Sequence, residues 1–484
     1  MTTLDITALQ EALRRFAAER DWEQFHSPKN LAMALSVEAA ELVEIFQWLT
    51  EAQSATLDDA TKAAVADEIA DVQIYLARLA DRLGIDIPQA VDEKLISNAQ
   101  KYPADETRGS PPGPPHDIPA PAPISGVATS IAAFVGRTAG GALDQAQQIG
   151  SFAEFEQSFG GLDADSDLSY VVHQFFLNGG STCWVVRTAE GAPATGDRVN
   201  RTGLYALEDV DIFNILCLPG VHDVGGLGEA IAYAEARRAM VIVDIGPGVS
   251  TFDDARNWMD DSANAVLKSS HAAAYFPRVH VADPLQNGAL RAIANSGSIA
   301  GLWARTDTER GVWKSPAGRD AVLRGVQALD YQLSNAENGE LNPKGLNALR
   351  TFSGHGTVSW GSRTLAGADV AAREWKYLPV RRTALFIEES VRRGTRFAAS
   401  ELNGDPLWAQ IRLAVGSFME GLFWQGAFQG TTPREAFFVK CDATTTTQTD
   451  IDRGLVNIQV GFAPLKPAEF MIILIQQVAG QGQT

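Results

Sequence analysis

Hydrophobic spacing divides the chain into two parts of different kind. Up to about residue 101, apolar positions recur at helical intervals. Residues 7–20 carry Leu9, Leu13 and Phe16 on one stripe. A loop with Trp22, Phe25, His26 and Pro28 follows. Further helices are expected over 30–49, over 59–83 with a stop at Gly84, and from just after residue 88 to about 101. Four helices joined by short loops predict an all-α four-helix bundle with antiparallel neighbours. Beyond residue 125, strand-like and helix-like runs alternate. Strands are expected at 127–135, 183–187, 212–217, 240–245 and 437–441. Helices are expected at 152–159, 168–177, 227–238, 321–329 and 407–425. This alternation predicts an α/β fold with a partly parallel sheet. The last strong element is an apolar β run, 470–477, which needs a pairing partner in its own sheet or a neighbour's.

Between the two parts, residues 103–124 hold eight prolines and show neither period. This composition predicts a semi-rigid, polyproline-like linker. The expected organisation is therefore multidomain: 1–104 helical, 105–124 linker, and 125–484 α/β, the last divided into 125–378 and 379–484.

The formal net charge of −19 argues against general affinity for nucleic acid or an anionic membrane. Cys183, Cys217 and Cys441 lie far apart, at no zinc or disulfide-framework spacing. No basic, apolar leader opens the sequence and no apolar run reaches membrane-span length, so a soluble, cytoplasmic chain is expected.

The chemistry concentrates in two motifs, Glu38-Ala-Ala-Glu41 and Glu68-Ile-Ala-Asp71. Spacing of i, i+3 sets each pair on one helix face. No lysine or arginine stands three or four residues from any of the four, and the flanks are apolar: Leu35, Val37, Leu42, Val43, Val65, Ile69, Val72 and Ile74. A single Glu-x-x-Glu pair is an ordinary solvated face. Two pairs in apolar settings, facing one another across a bundle, need a cation, and carboxylate oxygens suit Mg²⁺ or Mn²⁺. A metal so held bridges phosphate oxygens, which points to hydrolysis of a nucleoside triphosphate. Lys29, Lys94, Lys101 and Tyr102 are the available phosphate donors; Trp22, Phe25 or Trp48 offer stacking surfaces, and His26 and Asn98 hydrogen bonds.

Segments 16–35, 38–48, 67–80 and 101–110 together resemble the all-α nucleotide pyrophosphohydrolases of the MazG type, in particular the dCTP pyrophosphatase branch. The resemblance implies Mg²⁺-dependent conversion of a dNTP to the monophosphate and pyrophosphate. It implies that Glu38, Glu41, Glu68 and Asp71 are catalytic metal ligands. It places Trp22, His26, Trp48 and Asn98 at the base, and Lys94 and Tyr102 at the phosphates. It also implies pairing of bundles as dimers or tetramers. The branch's basic tail is absent here, with Pro111 in its place.

In the second part, Ser353, His355 and Ser359 lack a nucleophile-elbow pattern, and His271, His280 and Asp283 fit no metal motif. Gly-Pro-Gly at 246–248 reads as a plain turn. The segments 125–138, 151–161, 168–187, 272–284, 301–318, 335–343, 375–395, 406–442 and 462–477 instead resemble, in order, the contractile tail sheath proteins of phages and phage-tail-like injection systems. That resemblance implies a non-enzymatic subunit that self-assembles in rings or a helical tube around an inner tail tube protein, within a virion or similar particle. It assigns Phe470, Ile472, Leu474 and Gln476 to a linking strand. The family's N-terminal strand-forming arm is replaced by the prolines of 111–123, which lack the N–H a sheet needs. The chain is thus expected to be a sheath-like subunit carrying a dNTP pyrophosphohydrolase. The alternatives are a sheath subunit with a catalytically silent helical decoration, or an engineered chimera.

Overall fold

The computed structural model describes residues 5–46, 49, 51–101, 123–368, 374–465 and 471–479. It forms two compact units, Met1–Asp117 and Ile118–Thr484. None of its helices is long and apolar enough to cross a membrane.

The first unit contains four main helices: α1 (Ile6–Ala18), α2 (Pro28–Phe46), α3 (Asp59–Leu83) and α4 (Ile87–Lys101). Side-chain caps set the starts. Asp5 accepts from Ala8 N at 3.1 Å, and Asp58 from Thr61 N at 2.7 Å. Gly84, at φ +64°, ends α3 in the left-handed conformation that glycine tolerates. The second helix is described as far as Phe46; residues 47 and 48 of the expected 30–49 span lie outside the described residues. α2 and α1 both pack along α3, burying Ala17, Leu31, Ala77 and Ala80. α4 forms where expected, but Pro88–Ser97 are all exposed. Among the described residues, three helices share a core and the fourth buries no side chain against them.

The second unit is built on an eight-stranded sheet of order β11-β10-β6-β5-β4-β1-β3-β2. Its parallel centre comprises β1 (Ala132–Gly136), β3 (Cys183–Arg187), β4 (Ile215–Cys217), β5 (Met240–Val243), β6 (Ala272–Phe276) and β10 (Asn347–Phe352). The antiparallel strands β2 (Ala146–Ile149) and β11 (Gly356–Ser359) edge it. Side chains alternate across the sheet: Ala132 and Phe134 enter one core, Ala133 and Val135 the other. On its faces lie α5 (Phe152–Phe159), α6 (Asp167–Leu177), α7 (Val224–Ala236), α8 (Phe252–Asp260) and α9 (Ser296–Arg310). A small antiparallel sheet adds β7 (Val279–Asp283), β8 (Ala289–Ile293) and β9 (Val326–Leu329).

Two expectations are corrected here. The run 321–329 is not a helix: Gly325, at φ +78°, breaks it, and Val326–Leu329 pair with β7 instead. The strand expected from 127 begins at Ala132. Ahead of it, side chains claim the backbone: Val127 N donates to Ser390 Oγ at 3.1 Å and Ile131 N to Asn214 Oδ1 at 3.0 Å.

A third core joins α10 (Leu378–Gly394) and α11 (Asp405–Trp424) to the antiparallel sheet of β12 (Phe437–Lys440), β13 (Leu455–Phe462) and β14 (Met471–Val478). β14 pairs with β13 over its whole length, from Leu455↔Val478 to Phe462↔Met471. Ile473 and Ile475 point into the core while Leu474 and Gln476 face outward. Phe470 and the Ile472 side chain lie outside the described residues.

Candidate functional site

α2 and α3 lie against each other, and the acidic motifs occupy their facing sides. Glu38, Glu41 and Glu68 each offer a carboxylate oxygen, and these atoms all lie within 4.8 Å of one another. Asp71 stands one turn beyond Glu68 and is not among the three that converge, but its charge bears on both Glu38 and Glu68. Among the described residues no ion pair joins any of the four. Glu68 Oε2 is buried and has no hydrogen-bond partner. Partial burial, then the neighbouring carboxylates, push Glu38 and Glu68 above the usual range.

An orphaned, buried carboxylate oxygen among like charges fits a divalent cation. Oxygen donors from three carboxylates match the hard-ligand preference of Mg²⁺ or Mn²⁺. Glu38, Glu41 and Glu68 would hold the metal, with Asp71 beside them.

The aromatic block packs at the other end of α3. His26 Nδ1 accepts a hydrogen bond from Arg78 Nε at 3.3 Å. Arg78 also donates to Glu23 at 2.5 Å and Asp81 at 2.6 Å, and is only 3% exposed. Burial, then the Arg78 guanidinium, hold the His26 pKa below its ordinary value. With Nδ1 occupied as an acceptor, Nε2–H is left as a donor. Arg78 is seven residues beyond Asp71, two turns or about 10 Å along α3. Trp22 is 46% exposed and meets Phe16 edge-on at 6.0 Å; Phe25 is also exposed. Lys94 lies on the exposed α4. Trp48, Tyr102 and the Asn98 and Lys101 side chains lie outside the described residues.

Sequence reasoning missed the Glu23–Arg78–Asp81 cluster. Its signal was available: an arginine between the small residues Ala77 and Ala80 on a helix face that must pack.

The second unit gathers no comparable site from the residues weighed there. His355 sits on an exposed hairpin, while Ser359 is buried and bonds Gly361 O. His271 donates from Nδ1 to Ala239 O at 2.9 Å and accepts from Arg381 at Nε2, 2.6 Å away. His280 pairs with Asp330, and Asp283 accepts from the Tyr170 hydroxyl at 2.7 Å. The three cysteines are buried and unpaired.

A helical unit with a carboxylate cluster and an α/β unit ending in an outer strand are thus two kinds of protein on one chain. The chain joins a MazG-like domain to phage tail sheath domains. Residues 33–110 match the MazG-like family, 193–365 the phage tail sheath protein central domain, and 371–477 the phage tail sheath C-terminal domain. dCTP pyrophosphatase 1 of Rattus norvegicus is 48% identical over 97 residues, 20% of this chain. The chain spans 57% of the length of that relative. A putative prophage major tail sheath protein of Pseudomonas aeruginosa (strain UCBPP-PA14) is 27% identical over 292 residues, 58% of this chain and 69% of the relative. The contracted helical sheath of the anti-feeding prophage superposes with a TM-score of 0.60 at 29% identity, covering 74% of this chain and 96% of that one.

Proposed function

We propose that residues 1–104 are a Mg²⁺-dependent nucleoside triphosphate pyrophosphohydrolase, carried on a subunit that self-assembles through residues 125–484. The single observation that carries the enzymatic reading is the convergence of Glu38, Glu41 and Glu68 with an orphaned Glu68 oxygen. Bound there, the metal supplies charge neutralisation for a triphosphate. The protein's own groups do the rest. The three carboxylates fix the metal's place on α2 and α3. Asp71, beside them, orients the attacking water and accepts its proton. The water's oxygen bonds to the α-phosphorus as the bond to the bridging oxygen breaks, giving a nucleoside monophosphate and pyrophosphate. His26 Nε2–H, whose partner Arg78 lies about 10 Å along α3 from Asp71, and the Trp22 ring take the base. The dCTP pyrophosphatase relatives make a deoxycytidine nucleotide the first substrate to try.

For the larger unit, the shared sheath architecture supports a structural role in a phage-tail-like particle. β14 is the proposed link between subunits, because an outer strand of a small antiparallel sheet is suited to strand exchange. In that particle an inner tube would be the partner of the assembled sheath.

Pyrophosphate release from each dNTP, with and without Mg²⁺, tests the first reading; no release from any dNTP overturns it. Electron microscopy of the same preparation tests the second. Rings or tubes are expected, and small monodisperse oligomers alone would overturn it.

A further inference from the structure

Arg14, Glu23, Arg78, Asp81 and Arg82 form one ion-paired cluster beside His26, and pairing alone does not account for its buried member. Asp81 is also met by Arg14, at 3.1 Å, and Glu23 by Arg82, at 3.2 Å. Both of those arginines stay in solvent, with side chains 51% and 39% exposed. Of the three arginines only Arg78 is buried. Taking a guanidinium out of water is costly, and two carboxylates already served from the surface do not require it.

What Arg78 adds is the bond to His26. Its Nε donates to the ring's Nδ1 at 3.3 Å. The carboxylates aim it. Asp81 accepts from Nη1 at 2.6 Å and Glu23 from Nη2 at 2.5 Å. Both ends of the planar fork are thus held, and the remaining N–H, on Nε, is turned to the imidazole.

A guanidinium has donors and no acceptor. The nitrogen that meets it must carry a lone pair, so the proton of the neutral ring sits on Nε2. Burial, then the Arg78 charge, oppose a second proton; Arg82 adds to that and Glu23 works against it. A histidine free of such a partner exchanges tautomers and turns its ring over. His26 does neither without breaking the Arg78 bond.

We propose that Arg78 is a positioning residue for the base: it locks His26 as an Nε2–H donor, so that His26 reads an acceptor on the base, a ring carbonyl or an unprotonated ring nitrogen, and not an amino group. This rests on the reading above that the base sits at His26 and Trp22. Cytosine presents such acceptors at both O2 and N3.

Two substitutions separate positioning from a merely structural role. Glutamine Nε2 stands as many bonds from Cα as arginine Nε, so Arg78→Gln keeps an N–H for His26 while losing both ion pairs. Arg78→Met puts a methyl group there instead. Neither strands Glu23 or Asp81, which keep Arg82 and Arg14. Full-length proteins are titrated calorimetrically, with Mg²⁺ present, with a dCTP analogue whose α,β-bridging oxygen is replaced by NH. Arg78→Met should weaken binding about fivefold, on the scale of one hydrogen bond, and Arg78→Gln should retain most of the parent's affinity. In a His26→Phe background Arg78→Met should cost nothing further. Equal weakening by the two substitutions, an undiminished loss in the His26→Phe background, or no binding by the parent overturns the proposal. Binding by the parent without pyrophosphate release from dCTP would overturn the enzymatic reading and leave the positioning role standing. Solid-state NMR of the ¹⁵N-histidine-labelled full chain, with His26→Gln to assign the signal, reads the tautomer with no nucleotide present. A protonated Nε2 and a bare Nδ1 are expected, and a proton on Nδ1 overturns the proposal.

Discussion

Glu38 on α2 and Glu68 on α3 bring carboxylate oxygens within 4.8 Å of each other, and among the described residues neither has an ion-pair partner. Such a pair is costly when both are ionised and becomes an asset when a divalent ion binds. Glu41→Gln and Glu68→Gln should each lower Mg²⁺-dependent pyrophosphate release by at least ~100-fold, on the scale seen when metal-site groups are lost. Both variants should melt no lower than the parent in EDTA, because each removes one like charge. A variant that keeps full activity would remove its residue from the site.

The raised pKa values of Glu38 and Glu68 set the sign of a pH effect. A carboxyl that binds its proton more tightly when folded stabilises the fold at low pH. That contribution is complete below the ordinary value of 4.5 and is lost as pH rises through the raised value. Without metal, the helical unit should therefore be less stable at pH 7 than near pH 5. Mg²⁺ should reverse the trend, since it binds the ionised form. Helical melting followed at both pH values, with EDTA and with Mg²⁺, checks this.

The acidic pairs were readable because they violate a local rule: charges on apolar helices without cationic neighbours. The helices of the first unit, and strands such as Cys183–Arg187, were readable from periodicity and stop signals alone. The segment before β9 was not, because its conformation depends on Gly325 and on β7, which is distant in sequence. The same holds for His26. Burial, then Arg78, 52 residues away, lowers its pKa, and no local pattern around residues 22–28 announces that contact.

His271 gives the sheath-like unit a pH response of the opposite sign. It is buried against Arg381, with the Ala239 carbonyl on its other nitrogen and Glu235 nearby. Burial, then Arg381, lower its pKa. Its contribution to stability is present above the ordinary value of 6.5 and is lost as pH falls through the depressed value. Between pH 7 and pH 5 the parent should lose more stability than His271→Gln, as measured by the shift in melting temperature of this unit. Equal shifts would mean that the ring is not held neutral.

Arg382 and Asp307 form an ion pair at 2.6 Å with side chains 4% and 3% exposed, and Thr129 donates a third hydrogen bond to the same carboxylate. Removing one member strands a buried charge, which costs about 3–5 kcal/mol. Arg382→Met should therefore destabilise the unit far more than Leu413→Ala, an exposed position on α11. The double change Arg382→Met with Asp307→Leu should recover most of the loss. Urea denaturation of the four proteins makes the comparison, and a non-recovering double variant would show that Thr129 and the packing around Trp303 matter more than charge pairing.

β14 separates folding from assembly along a single strand, because its side chains alternate. Ile473 and Ile475 are 4% and 6% exposed in the third core, whereas Leu474 is 70% exposed. Ile475→Lys would bury an unpaired ammonium and should unfold the C-terminal sheet, abolishing assembly and lowering the melting temperature together. Leu474→Lys puts the charge on the outward face, so the isolated chain should melt within a few degrees of the parent. If that face packs against a neighbouring subunit, Leu474→Lys should nonetheless reduce ring or tube formation at least tenfold in electron micrographs counted at equal concentration. Assembly that survives Leu474→Lys but fails on removing residues 471–484 would assign the link to the strand's backbone rather than to its outer face.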